Sequence, residues 1–87
     1  MIIRVDGTQE ECRPADGQHY TLEELQQAIG GGWIQIVKTK DGRLMVIDEE
    51  GKLKGFSVNP VATALYFHGD RDPIVGDVLV CPEQYID

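Results

Sequence analysis

Residues Trp33 to Gly55 read WIQIVKTKDGRLMVIDEEGKLKG. Two runs within this stretch, Trp33 to Val37 and Leu44 to Ile47, are dominated by β-branched, aromatic and other apolar residues and are bounded by turn formers, the pattern of paired strands. The connection between them carries Asp41-Gly42, residues that tolerate the positive φ a tight hairpin turn demands. The stretch therefore predicts a β-hairpin. A second turn at Glu49 to Lys52 is expected to fold Leu53 back as a short third strand. Ile34 and Ile36 fall on one face of the first run, Trp33 and Val37 on the other. Both faces of the sheet are thus expected to be covered, one by helix and the other by further strands or a second subunit.

Upstream, Met1 to Val5 reads as an opening strand ended by Asp6-Gly7, and Glu10 to Arg13 as a polar edge strand stopped at Pro14, which has no amide hydrogen to give to a ladder. Thr21-Leu22-Glu23-Glu24 is a capping box. It opens a helix predicted over 22–29, with Leu22, Leu25, Ala28 and Ile29 on one face. Gly30 to Gly32 supply a left-handed C-terminal cap and a flexible entry to the next strand. A phosphate-cradling role fits this glycine run poorly, because nucleotide-binding loops follow a strand and open a helix, the reverse of the order here.

Downstream, Asn59 is an N-cap and Pro60 occupies the first helical position. The helix is predicted to continue through Phe67 and to pack on the sheet. His68 to Pro73 is a polar loop, and Ile74 to Cys81 the last strand, with Gly76 marking a bulge or a close backbone approach. The tail from Glu83 to Asp87 is expected to be loosely held unless Tyr85 and Ile86 dock on a neighbour. The element order gives an α+β domain over 1–87, with a small, mostly antiparallel sheet of four to six strands and two short helices.

Eight basic and fifteen acidic residues give a net charge of −7. Between Lys38 and Lys54, five bases meet four acids; elsewhere three bases meet eleven acids. Duplex nucleic acid is excluded as a general partner, because its phosphates would be repelled over most of the surface. A small anion can still bind locally. The acidic surface also suits a protein that imitates nucleic acid and occupies a basic groove on another protein, or serves solubility alone. No apolar run approaches the roughly 20 residues that cross a bilayer, and no basic-then-apolar leader is present, so a cytoplasmic location without membrane attachment is expected. Cys12 and Cys81 lack disulfide-scaffold density and metal-ligand spacing, and read as free thiols.

The densest polar cluster is His68-Gly69-Asp70-Arg71-Asp72. Its carboxylates and histidine are suited to metal binding or acid–base work, as in a small metal-dependent phosphodiesterase. One loop lacks the rigidity such a site needs, and a solvated turn is the simpler reading. Asp48-Glu49-Glu50-Gly51 lacks the alternating ligand spacing of a calcium loop. No nucleophile stands beside His19, and no Ser-His-Asp or Cys-His order emerges. No catalytic residue, metal or cofactor is therefore assigned. The expected binding site is the start of the second helix: free amides at Asn59 with Ser57 nearby, Lys52 and Lys54 approaching through the preceding segment, and Trp33, Tyr66 or Phe67 available to stack on a base. His68 and Arg71 of the following loop complete the candidate set.

LEELQQAIGGGWIQIV, LMVIDEEGKLKG, Asn59-Pro60-Val61-Ala62 and Ile74 to Val80 in that order resemble a small uncharacterised family, domain of unknown function 3846, whose members occur in phages and other mobile elements. The resemblance covers nearly the whole chain and implies a setting rather than a chemistry. In that setting the expected function is a phage-encoded, non-enzymatic, homo-oligomeric protein that counteracts host defence by sequestering a small anionic, nucleotide-like immune signal. The alternative is an acidic inhibitor of a host defence protein such as a nuclease, CRISPR or restriction system.

Overall fold

The hairpin forms as its turn chemistry dictates. Strands β3 (Ile34–Lys38) and β4 (Leu44–Asp48) pair antiparallel from Ile34 opposite Asp48 to Lys38 opposite Leu44. The Thr39 amide donates to Arg43 O at 3.0 Å and the Gly42 amide to Thr39 O at 3.2 Å, with Gly42 at φ +86°. This is a three-residue loop in which glycine takes the left-handed position. The computed structural model describes residues 1–86. Around the hairpin, β1 (Ile2–Ile3), β2 (Gln9–Glu10) and β5 (Val78–Cys81) complete an antiparallel sheet in the order β2-β1-β5-β4-β3. Helices α1 (Leu22–Ala28) and α2 (Pro60–Leu65) and a 3₁₀ turn over Glu83–Tyr85 complete the α+β fold.

Each strand sends alternate side chains to opposite faces. Ile2, Leu44, Val46, Leu79 and Cys81 join Tyr20, Leu25, Ala28 and Ile29 on the α1 side. Ile3, Met45, Val78 and Val80 join Ala62 and Ile74 on the α2 side. The sheet lies between the two helices, so its second face is covered by α2 rather than by further strands or another subunit.

Both helix starts follow their caps. Thr21 Oγ1 accepts from the Glu24 amide at 3.1 Å and Glu24 Oε1 from the Thr21 amide at 2.8 Å. Leu22 nevertheless stays exposed, and Ile29 serves as C-cap. The Gly31 amide reaches Gln26 O and the Gly30 amide Gln27 O, both glycines at positive φ, which is a Schellman ending.

At the second helix, Asn59 is fully buried. Its Oδ1 accepts from the Ala62 amide at 3.1 Å, and its Nδ2 donates to Ile3 O at 3.0 Å and Gly76 O at 2.9 Å. One side chain thus caps α2 and ties it to β1 and to the approach to β5.

Several expected boundaries move for identifiable reasons. α2 stops at Leu65 rather than Phe67, because Tyr66 turns extended and bridges Thr39, with Phe67 N donating to Lys38 O (3.1 Å) and Lys40 N to Leu65 O (2.9 Å). Sheet-edge bonding here outcompetes one more helical turn. The return strand is confined to Gln9–Glu10: beyond it the Tyr20 hydroxyl donates to Cys12 O, holding the chain over the α1 side, where Pro14 is buried. Leu53 forms no third strand. The segment winds in consecutive turns, with Lys54 N bonded to Glu50 O and Phe56 N to Gly51 O, and leaves Leu53 86% exposed. The last strand begins only at Val78. Gly76 has φ +79° with the Phe56 ring against its backbone, and Val75 makes an isolated bridge to Val58. Tyr85 and Ile86 dock on their own chain, packed on the α1-side core, with Tyr20 N bonded to Tyr85 O at 3.0 Å. Asp87 lies outside the described residues. No helix among the described residues is long and apolar enough to cross a membrane.

Asn59→Ala is expected to lower unfolding free energy by about 2–4 kcal/mol, because it removes a cap and leaves the Ile3 and Gly76 carbonyls buried without donors. Asn59→Asp keeps the capping oxygen but not the donors. It should also be destabilised at neutral pH, as read by urea denaturation; full recovery in Asn59→Asp would reduce the residue to a cap.

Candidate functional site

The structure scatters the residues expected at the start of α2. Asn59 is withdrawn: its side chain is enclosed and fully engaged, and its amide donates to Ile74 O at 2.8 Å. A six-residue helix whose capping groups are spent in this way leaves no anion site there. Lys52 is paired with Asp72 across the loop. Lys54 donates to Asp48 at 2.7 Å, with its ammonium 5.7 Å from the centre of the Phe56 ring. Asp48 is buried, so that ion pair is structural, and Gly32 is its seat: a Cβ there would lie 2.2 Å from Asp48 Oδ2. Gly32 therefore serves close packing, beyond the capping supplied by the two glycines before it. Ser57 is exposed and lines a separate hollow of about 240 Å³ with Phe56 and Gly76. Arg71 is exposed on the loop, and Trp33 stands 64% exposed just ahead of β3, not in the core.

Two of the expected residues, Tyr66 and His68, do come together, at the opposite end of α2. They line an open groove of about 530 Å³ with Val37, Lys38, Thr39, Lys40, Gly42 and Phe67. This size falls in the range of small-ligand sites. The His68 ring meets the rings of Phe67 and Tyr66 edge-on, at centroid distances of 4.8 and 5.8 Å. Phe67 is 59% exposed, so aromatic surface faces the groove with its neighbours already fixed.

The walls are held by short-range bonds. The Tyr66 to His68 segment is fastened to the β3 edge by the two main-chain bonds that replace the end of α2. Gly69 lies against Thr63, where a Cβ would fall 1.8 Å from the Thr63 carbonyl oxygen. On the other wall, buried Thr39 donates its hydroxyl to Asp41, whose carboxylate also takes Arg43 Nε at 3.0–3.1 Å. The Arg43 guanidinium, then the Thr39 hydroxyl, hold the Asp41 carboxyl well below the usual carboxylate range.

Charge distinguishes this groove. Arg4, Arg13, Arg43, Lys52 and Lys54 each have a carboxylate partner within 4 Å. Among the described residues Lys38, Lys40 and Arg71 have none, and two of these three line the groove. A narrower crevice of about 130 Å³, lined by Gln35, Ile47 and Tyr66, has Lys52 as its one basic residue, already paired with Asp72, beside the further carboxylates of Asp48 and Glu49. His68 and Asp70 share no hydrogen bond, and no three His, Cys, Asp or Glu side chains among the described residues converge as a metal cluster.

Lys38 and Lys40 were missed as site residues by sequence reasoning, although the basic excess of the hairpin pointed at them. What hid them was the early end of α2, which swings Phe67 and His68 to the strand edge.

Residues 1–85 match the family model described as Domain of unknown function (DUF3846), and the chain belongs to that family. No curated protein and no solved structure matches it.

Because the depressed Asp41 carboxyl contributes its stabilisation above its ordinary pKa near 4 and loses it as pH falls toward the folded value, the hairpin turn should loosen only in acid. Lower exchange protection of the Arg43 amide, relative to its intrinsic rate at the same pH, is the expected outcome in acid, mimicked at neutral pH by Asp41→Ala; pH-independent protection in that range would contradict it.

Proposed function

We propose that the protein is a non-enzymatic binder of a small, anionic, nucleotide-like ligand, held in the groove between the end of β3 and the Tyr66 to His68 segment. One observation carries this reading. In a chain with fifteen acids and eight bases, two lysines without a carboxylate partner among the described residues stand beside exposed aromatic surface in one open groove. Ammonium groups suit phosphate oxygens, and an aromatic face suits a base, the combination used wherever bases are held by stacking. Phe67 and Tyr66 offer the stacking surface, while Lys38 and Lys40 meet the anionic part. Thr39 is occupied in shaping the turn.

A phage protein acting in the host cytoplasm, lowering the free concentration of a nucleotide signal of host immunity, is the setting we infer from the family resemblance. Tight capture without turnover serves that role.

Isothermal titration against cyclic dinucleotides and ADP-ribose-type compounds tests the reading. Binding to at least one is expected, weakened roughly tenfold or more in Lys38→Glu or Lys40→Glu, since a hydrogen bond to a charged group contributes about 1.5–3 kcal/mol. The absence of heat with every compound would remove it.

A second reading has its own support. The surface outside Lys38 to Lys54 carries three bases and eleven acids, which suits a protein that occupies the basic groove of a host nuclease or restriction enzyme. Capture of such an enzyme from host lysate that fades steeply with added salt would favour it; capture indifferent to salt would count against electrostatic mimicry.

A further inference from the structure

The two edges of the sheet are built differently. β2 is a two-residue edge of Gln9 and Glu10 followed closely by Pro14, the kind of short, polar edge that resists pairing. β3 is five residues long, with no proline, and Ile36 is 41% exposed. Which of its main-chain groups face outward follows from the ladder. Glu49 N donates to Trp33 O at 2.9 Å, and Thr39 N to Arg43 O at 3.0 Å. Trp33, Gln35, Val37 and Thr39 thus bond inward to β4, and the alternation of an antiparallel pair turns the N–H and C=O of Ile34, Ile36 and Lys38 outward. Lys38 O is taken by Phe67 N. Among the described residues, Ile34 and Ile36 have no partner on that side.

We infer that β3 pairs edge to edge with β3 of a second copy, antiparallel and centred on Gln35, to make one continuous sheet through a homodimer. The register follows from what blocks the edge. Tyr66 sits opposite Thr39, so centring the pair on Ile36 would drive the incoming Trp33 into Tyr66. Centring it on Gln35 sets Ile34 against Ile36 of the other copy in both directions, each pair exchanging both main-chain bonds. It also opposes Gln35 to itself and Trp33 to Val37, where the pairing ends, because Phe67 already occupies the place opposite Lys38 and the second copy must turn away at Gly32.

The side chains agree with this register. No like charges face each other along the strand, and apolar residues meet apolar ones. The two ends carry opposite charge: Lys38 and Lys40 at one, Glu49 and Glu50 beside the other, where Glu49 is bonded to Trp33. A two-fold axis brings each basic end to the acidic end of the second copy. The contact also falls in a part of the chain whose charges nearly balance, five bases against four acids from Trp33 to Lys54, so repulsion between two molecules of charge −7 is weakened there.

The dimer does not depend on the ligand, yet it bears on the groove. A two-fold perpendicular to the sheet keeps equivalent faces together. Trp33 of the second copy therefore comes beside Val37, a groove wall, and adds an aromatic surface that one chain lacks. This last step rests on the proposed binding function; the pairing itself does not.

Sedimentation and light scattering of the ligand-free protein over a wide concentration range give the first test. The mass is expected to rise from 9.7 kDa toward twice that value, with a parallel blue shift in the emission of Trp33, the only tryptophan. Gln35→Lys, which opposes two ammonium groups on the axis, should keep the mass at that of one chain. Gln35→Cys in a Cys12→Ser background should form a disulfide-linked dimer on mild oxidation, because directly opposed residues of a non-bonded pair lie about 4.5 Å apart at Cα, within disulfide reach. Lys38→Cys should not, its copies lying roughly 20 Å apart along the strands. A wild-type protein that stays monomeric at every concentration overturns the proposal, leaving the edge to a strand of another protein. A dimer indifferent to Gln35→Lys and not cross-linked through Gln35→Cys overturns it as well. These readings are made without ligand, so they fail or succeed separately from the titrations of the groove.

Discussion

One buried amide organises this small domain. Asn59 donates to the Ile3 and Gly76 carbonyls while accepting from the Ala62 amide in the first turn of α2. Its own main-chain oxygen takes the Thr63 amide and hydroxyl, and the Thr63 hydroxyl in turn accepts from Ile74 N at 2.9 Å. Strand β1, helix α2 and the lead into β5 are thereby fixed to each other by groups that would each be costly to bury alone. The two-residue β1 could not hold its position through ladder bonds only. With α2 anchored at its start, the position of its end is set, and with it the groove and the limit of the open strand edge.

The second organising contact lies on the other side of the sheet. Asp48 ends β4 with its carboxylate buried, and the chain returns to it twice: Glu50 N donates at 2.8 Å and Lys54 Nζ at 2.7 Å. A buried carboxylate without these donors would be strongly unfavourable, so the turns after β4 are drawn in around it. That requirement explains why residues 49–55 coil instead of extending, and why Gly32 carries no side chain.

Much of this was legible in the sequence. The hairpin, both helix starts and the glycine ending of α1 rest on local chemistry: Asp41-Gly42, the Thr21 to Glu24 box, Asn59-Pro60 and Gly30-Gly31 behave as short-range rules require. The failures share one cause. The end of α2, the lost third strand at Leu53 and the delayed start of β5 were decided by contacts that override the local pattern: with Lys38 and Lys40, with the buried Asp48 carboxylate, and of the Phe56 ring with Gly76. The candidate site moved for the same reason. Asn59 looked like an exposed cap because nothing local says that Ile3 and Gly76 will close over it, whereas Tyr66 and His68 kept their place in a groove whose second wall no reading of α2 alone could supply.

The helix that leads into the groove residues is barely more than one and a half turns long and is pinned at both ends, by Asn59 at its start and by the Thr39 bridge at Tyr66. Adding or deleting one residue between those pins would rotate everything beyond by roughly 100° about the helix axis. Phe67 and His68 would be carried off the strand, and the stop that limits the open edge would go with them. Relatives of this chain are therefore expected to hold that interval at constant length while tolerating insertions in the loop around Asp70. Spacing there is a more telling signature of shared architecture than the identity of any side chain lining the hollow.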